Sequence, residues 1–143
     1  MLHKRHKYDI IILLALVGFA TSIYLTVYKI LGVTIPCSVI HGCETVLSSR
    51  YSTLLGVPLA EWGIVFFAAV IFAALMANHY RVWRRLLGLG LGAGALAALV
   101  FLSLQFFVIK QVCQYCFVCD TLAIILFLID LNIEHQPVTA GLE

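Results

Sequence analysis

The chain has 143 residues, of which 63% are hydrophobic and 11% charged, with a mean hydropathy of +1.06. Soluble domains run at about 45–50% apolar and about 25% charged, so seven acidic and nine basic residues cannot cover a water-facing surface, and disorder is excluded too. A net charge of +2, with the basic residues dispersed, argues against nucleic acid as a partner.

A spanning helix needs about 20 apolar residues, and the chain offers four such runs in order. The first covers about 10–28 and follows the cluster His3-Lys4-Arg5-His6-Lys7. It is long for a signal-peptide core and no small-residue cleavage site follows, so a retained helix is expected. The second covers about 58–78, with Pro58 suited to a first helical turn. The third covers about 86–109 and the fourth about 113–131. These runs predict an all-α integral membrane protein, a four-transmembrane-helix bundle that satisfies its own backbone groups in lipid. The expected layout is a membrane domain over 1–131 with a loop at 32–57, then a cytoplasmic tail at 132–143. The length leaves no place for a separate soluble domain.

Lys and Arg set the expected orientation. Lys4, Arg5, Lys7, Arg81, Arg84 and Arg85 fall on the side shared by the N-terminus and the second connection, against Lys29, Arg50 and Lys110 on the other. The excess predicts that the termini are cytoplasmic and that the 32–57 loop faces outward. All five cysteines then lie at or near the outer side, in a compartment such as a periplasm or an endoplasmic-reticulum lumen where disulfides persist. The glycine series Gly88, Gly90, Gly92 and Gly94 in the third span fits small-residue helix packing. Close approach within the bundle is the expected use, with a dimer face as the alternative.

Cys113-Gln114-Tyr115-Cys116 is a C-x-x-C pair opening a helix, where the helix N-terminus favours a thiolate. Such a pair can cycle between dithiol and disulfide, or it can be a permanent staple. Cys37 and Cys43 form a second pair in the loop, and a thiolate of one pair can attack the disulfide of the other. Two pairs on one side therefore make an electron relay: a thiol reduces the loop pair, the loop pair reduces the helix pair, and a lipid-soluble quinone is the natural acceptor. The alternatives are two static disulfides, or metal binding. Cys113, Cys116 and Cys119 match part of an iron–sulfur spacing but lack a fourth ligand, and His41 with the cysteines does not make a recognised zinc pattern. A soft-metal carrier is a further alternative, although carriers present cysteines along a pathway and these cluster at one side.

The stretches Cys37-Ser38 to Gly42-Cys43, Val46-Leu47-Ser48-Ser49-Arg50-Tyr51 and Gly56-Val57-Pro58-Leu59, with the C-x-x-C of the last span, resemble the vitamin K epoxide reductase (VKOR) family, in particular its bacterial homologues. The resemblance covers about residues 10–131. It implies four helices around a quinone site capped by a loop with a short helix. It implies that Cys116 acts on the quinone, that Cys113 pairs with Cys116 and links transiently to Cys43, and that Cys37 exchanges with a protein substrate. The substrate would be a separate thioredoxin-like or DsbA-like thiol protein, and the acceptor the membrane quinone pool, of ubiquinone, menaquinone or phylloquinone (vitamin K) type.

Two departures mark the quinone site. Asp120 stands where the animal enzymes carry a tyrosine, and Leu59-Ala60-Glu61 where they carry an asparagine. Cys116, Asp120, Leu59, Glu61 and Trp62 are thus the expected ring contacts, and epoxide reduction of the animal type is a secondary reading. An acid within a span is a functional candidate, so Glu61 and Asp120 are candidates for supplying protons to the reduced quinone. Cys119 lies outside the family pattern and reads as a small buried residue.

Overall fold

The computed structural model describes residues 2–34, 36–37 and 42–134. His41, Ser38 and the tail 135–143 lie outside the described residues. Helix α1 spans Leu2–Leu31, α3 Leu59–Ala77, α4 Arg81–Ser103 and α5 Gln114–Glu134. A short helix α2 (Cys43–Ser48), a 3-10 turn (Arg50–Ser52) and a two-stranded antiparallel hairpin, β1 (Thr53–Leu54) and β2 (Val57–Pro58), join α1 to α3. Among the described residues, four helices are long and apolar enough to cross a membrane, the third running on from Arg81 through a π-helical stretch to Ile109.

The four long helices form a closed ring in which α1 packs on α3 and α5, and α4 packs on the same two. Neighbours run antiparallel, as paired contacts show: Gly18 faces Phe67 while Gly63 faces Ser22, and Gly92 faces Phe127 while Gly88 faces Asp130. The core consists of Tyr8, Ile11 and Ala15 from α1, Phe67, Val70 and Ala74 from α3, Leu87 and Leu91 from α4, and Leu122 and Leu126 from α5. The outside is as apolar as the inside: Leu13, Val65, Leu89, Leu96, Phe107 and Leu128 are all exposed. Such a surface suits lipid, and it explains why so few charges suffice.

Where hydrocarbon surrounds the bundle, apolar burial between helices gains little, and close van der Waals fit has to hold them together. The glycines serve that fit. A side chain at Gly18 would collide with the Phe67 ring, one at Gly94 with the Phe66 ring, and one at Gly92 would press on Phe127. Gly90 faces open space. Three members of the α4 series therefore meet this chain's own helices. Among the described residues, no buried side-chain polar atom lacks a partner.

The fourth span carries a second acid that the sequence reading passed over. Asp130 is buried at the end of α5 away from the cysteines, beside Gly88.

Candidate functional site

Both cysteine pairs come together at one end of the bundle. Cys37 and Cys43 are joined by a disulfide, and Cys113 and Cys116 are free thiols. Cys43, Val46 and Cys113 form one buried cluster, with Cys37, Cys116, Tyr115 and Ile109 packed around it. Cys43 and Cys113 are 1% and 0% exposed, so exchange between them would occur out of water.

Local sequence explains the approach. Gly42 precedes Cys43 against the backbone that leads into the C-x-x-C pair, and a Cβ there would lie 2.6 Å from the Val112 carbonyl oxygen. Only glycine lets α2 begin so close to Cys113. Tyr115, inside the C-x-x-C, donates its hydroxyl to the Pro36 carbonyl at 3.2 Å and packs its ring on Tyr24 of α1, with centroids 5.2 Å apart. The residue between the two thiols thus moors the loop that carries Cys37.

Cys113 stands just before Gln114, the first residue of α5, and acts as its N-cap. Its carbonyl accepts the Phe117 N–H at 2.8 Å, and its Sγ accepts the Cys116 N–H at 3.3 Å. The Cys116 thiol holds the Cys113 thiol below its ordinary value, reinforced by the Cys116 and Tyr115 backbone N–H groups and opposed by burial. A thiol so placed is a good leaving group and a ready nucleophile.

Below the cap lies a cavity of about 580 Å³, within the usual range for small-molecule sites. Trp62, Phe66, Phe67 and Phe101 supply aromatic walls, α2 and the hairpin close it through Val46, Leu47 and Leu54, and Ser22, Gln105, Cys116, Cys119 and Asp120 bring polar atoms to it. Trp62 donates its Nε1–H to the Leu54 carbonyl at 3.2 Å, fastening the hairpin to α3. Of the expected ring contacts, Cys116, Asp120, Leu59 and Trp62 border this cavity. Glu61, half-buried in the first turn of α3, is not among its lining residues. Cys119 borders it, with its Sγ 3.9 Å from Ser22 Oγ. Among the described residues, no three His, Cys, Asp or Glu side chains converge as a metal site.

A family model described as the vitamin K epoxide reductase family matches residues 9–131. The chain belongs to the vitamin K epoxide reductase family. That membership makes it a membrane redox enzyme of a family acting through cysteines and a quinone. In this vitamin K epoxide reductase family member the cavity lining is chemically compatible with a quinone: aromatic and apolar walls suit a flat ring, and the Cys116 thiol and the Asp120 carboxyl are among the polar groups that border it.

Sequence reasoning missed Gln105. It is 3% exposed, donates Nε2–H to Asp120 Oδ2 at 3.2 Å, and accepts the Cys113 N–H on Oε1 at 3.0 Å. Its signal was available: it is the one amide side chain in the third apolar run, eight residues before Cys113.

Proposed function

We propose that the protein oxidises a thioredoxin-like or DsbA-like dithiol protein through its two cysteine pairs and passes the electrons to a quinone of the membrane pool, supporting disulfide formation. The observation that carries this reading is the shared burial of Cys43 with Cys113 directly above the cavity that Cys116 borders. A partner dithiol reduces the Cys37–Cys43 disulfide and leaves as a disulfide itself. The Cys43 thiolate then attacks Cys113 of the oxidised helix pair, forming a Cys43–Cys113 disulfide and releasing Cys116 as the thiolate. Cys37 attacks Cys43, closing the loop disulfide and releasing Cys113. The state with a loop disulfide and two helix thiols is the one that follows this step.

Cys116 and Cys113 then return to the disulfide, giving up two electrons and two protons. A quinone held in the cavity would supply the acceptor for both electrons and both protons, its product being the quinol. Trp62, Leu59 and the phenylalanines would hold the ring, Cys116 would face it, and Asp120 would deliver a proton to it. The cap of α2 and the hairpin would keep water from the thiols. The Lys and Arg distribution supports an extracytoplasmic location for this end.

Purified protein given a ubiquinone analogue should catalytically oxidise a reduced thioredoxin-like protein. Cys116→Ser and Cys113→Ser should each abolish turnover, and normal turnover in Cys116→Ser would overturn the scheme. In Cys116→Ala, peptide mapping should recover a Cys43–Cys113 disulfide.

A further inference from the structure

The α-helical ladder of α4 gives way to a π-helical stretch over Leu104–Ile109, which ends at Lys110 in the left-handed region at φ 56°. π-turns are uncommon and collect at functional sites, because the wider turn re-aims the side chains that follow. Here it points Gln105 inward while Phe106, Phe107 and Val108 face outward. Leu104, Gln105 and Ile109, spaced as a π-turn places neighbours, all border the cavity.

The Gln105 amide has one possible orientation. A backbone N–H can only donate, so the oxygen Oε1 must face Cys113 and the NH₂ must face Asp120. Asp120 Oδ2 is therefore obliged to accept. Any proton that Asp120 carries sits on Oδ1. Burying a primary amide across two elements costs free energy unless both ends are bonded, and here both are.

We propose that Gln105 is a positioning residue that fixes the Asp120 carboxyl in the cavity wall, assigns its exchangeable proton to Oδ1, and ties that acid to the backbone of the C-x-x-C pair. This rests on the reading of the cavity as the quinone site. When Cys113 and Cys116 form their disulfide they release two protons and two electrons, and quinone reduction consumes the same number of each. Asp120 gives one proton across the cavity and recovers one from the thiols, ending as it began, while the second thiol proton passes directly from Cys116, which borders the cavity, to the quinone. Rotation of the carboxyl would present the wrong oxygen, and the Gln105 bridge prevents it.

The test compares wild type, Gln105→Leu, Gln105→Met, Asp120→Asn and the double variant Gln105→Leu/Asp120→Asn. Reduction of the Cys37–Cys43 disulfide by a dithiol peptide, which precedes any step at Cys113, checks the fold and should be unchanged in all. Reduction of a ubiquinone analogue by the prereduced enzyme should fall at least tenfold in Gln105→Leu, in Gln105→Met and in Asp120→Asn. In the double variant it should fall no further than in Asp120→Asn alone. In quinone-free protein, an infrared carboxyl band absent from Asp120→Asn should shift in Gln105→Leu and respond to the dithiol–disulfide change. Multiplying losses in the double variant, an unmoved band, or full quinone reduction by Gln105→Leu would each overturn the proposal. Failure of the wild type to reduce quinone would instead overturn the functional reading beneath it. A Gln105→Leu protein that loses loop-disulfide reduction leaves Gln105→Met, matched in length and lacking the N–H donor, to decide: normal quinone reduction there would also overturn the proposal.

Discussion

Cys113 combines complete burial with an acidified thiol, two properties that usually oppose each other. Burial penalises a thiolate, and the Cys116 thiol and the first N–H groups of α5 outweigh it. A lowered thiol becomes thiolate at a pH where ordinary cysteines remain protonated, and removing its donor returns the midpoint upward. An ultraviolet thiolate titration, with the loop disulfide intact, should show Cys113 ionising below the ordinary thiol value near about 8.5. Cys116→Ala should raise that midpoint, and an unchanged midpoint would show that the Cys116 side chain is not the cause. The helix-terminal placement was legible in the C-x-x-C spacing, because residues three apart share a helix face. The Gln105 bridge was not. A single glutamine in an apolar run reads as a tolerated polar residue until the π-turn aims it at Cys113.

At the scale of elements, the site depends on how α2 is delivered to the start of α5. The four long helices announce themselves through length and apolarity, and the glycines of α4 through their spacing. The cap does not, because its elements are too short for periodicity: α2 has six residues and each strand two. Their placement comes from particular contacts, the Trp62 bond to Leu54, the Tyr115 bond to Pro36, and the close passage of Gly42 over Val112. Gly42 was visible in the sequence only as a letter in a familiar stretch; its physical role is a missing Cβ. Gly42→Ala should separate Cys43 from Cys113, since forcing a methyl into a tight contact costs roughly 1–3 kcal/mol. In a Cys116→Ala background the trapped Cys43–Cys113 disulfide should then fall about tenfold, read by mass spectrometry of non-reduced peptides. Equal trapping with and without the methyl would mean that the loop reaches Cys113 by another approach.

For the whole molecule, the question is which end faces which compartment, because a disulfide relay works only where its product survives. The antiparallel ring places Arg81, Arg84 and Arg85 of α4 at the end away from the cysteines, with the basic start of α1. Lys29, Arg50 and Lys110 remain at the cysteine end. Positive residues near short connections resist translocation, so the six-to-three difference predicts a cysteine end outside the cytoplasm. Asp and Glu contribute little to this bias, and the acids at both ends do not weaken it. Single reporter cysteines test it, placed in a background with the five native cysteines replaced by serine. Thr45→Cys, on the exposed side of α2, should react with an impermeant maleimide in intact bacterial cells. His79→Cys, in the exposed turn between α3 and α4, should react only after the membrane is opened. The opposite pattern would put the relay in a reducing compartment, where the Cys37–Cys43 disulfide would be drained by cytosolic thiols and electron flow toward a quinone would have no disulfide product to protect.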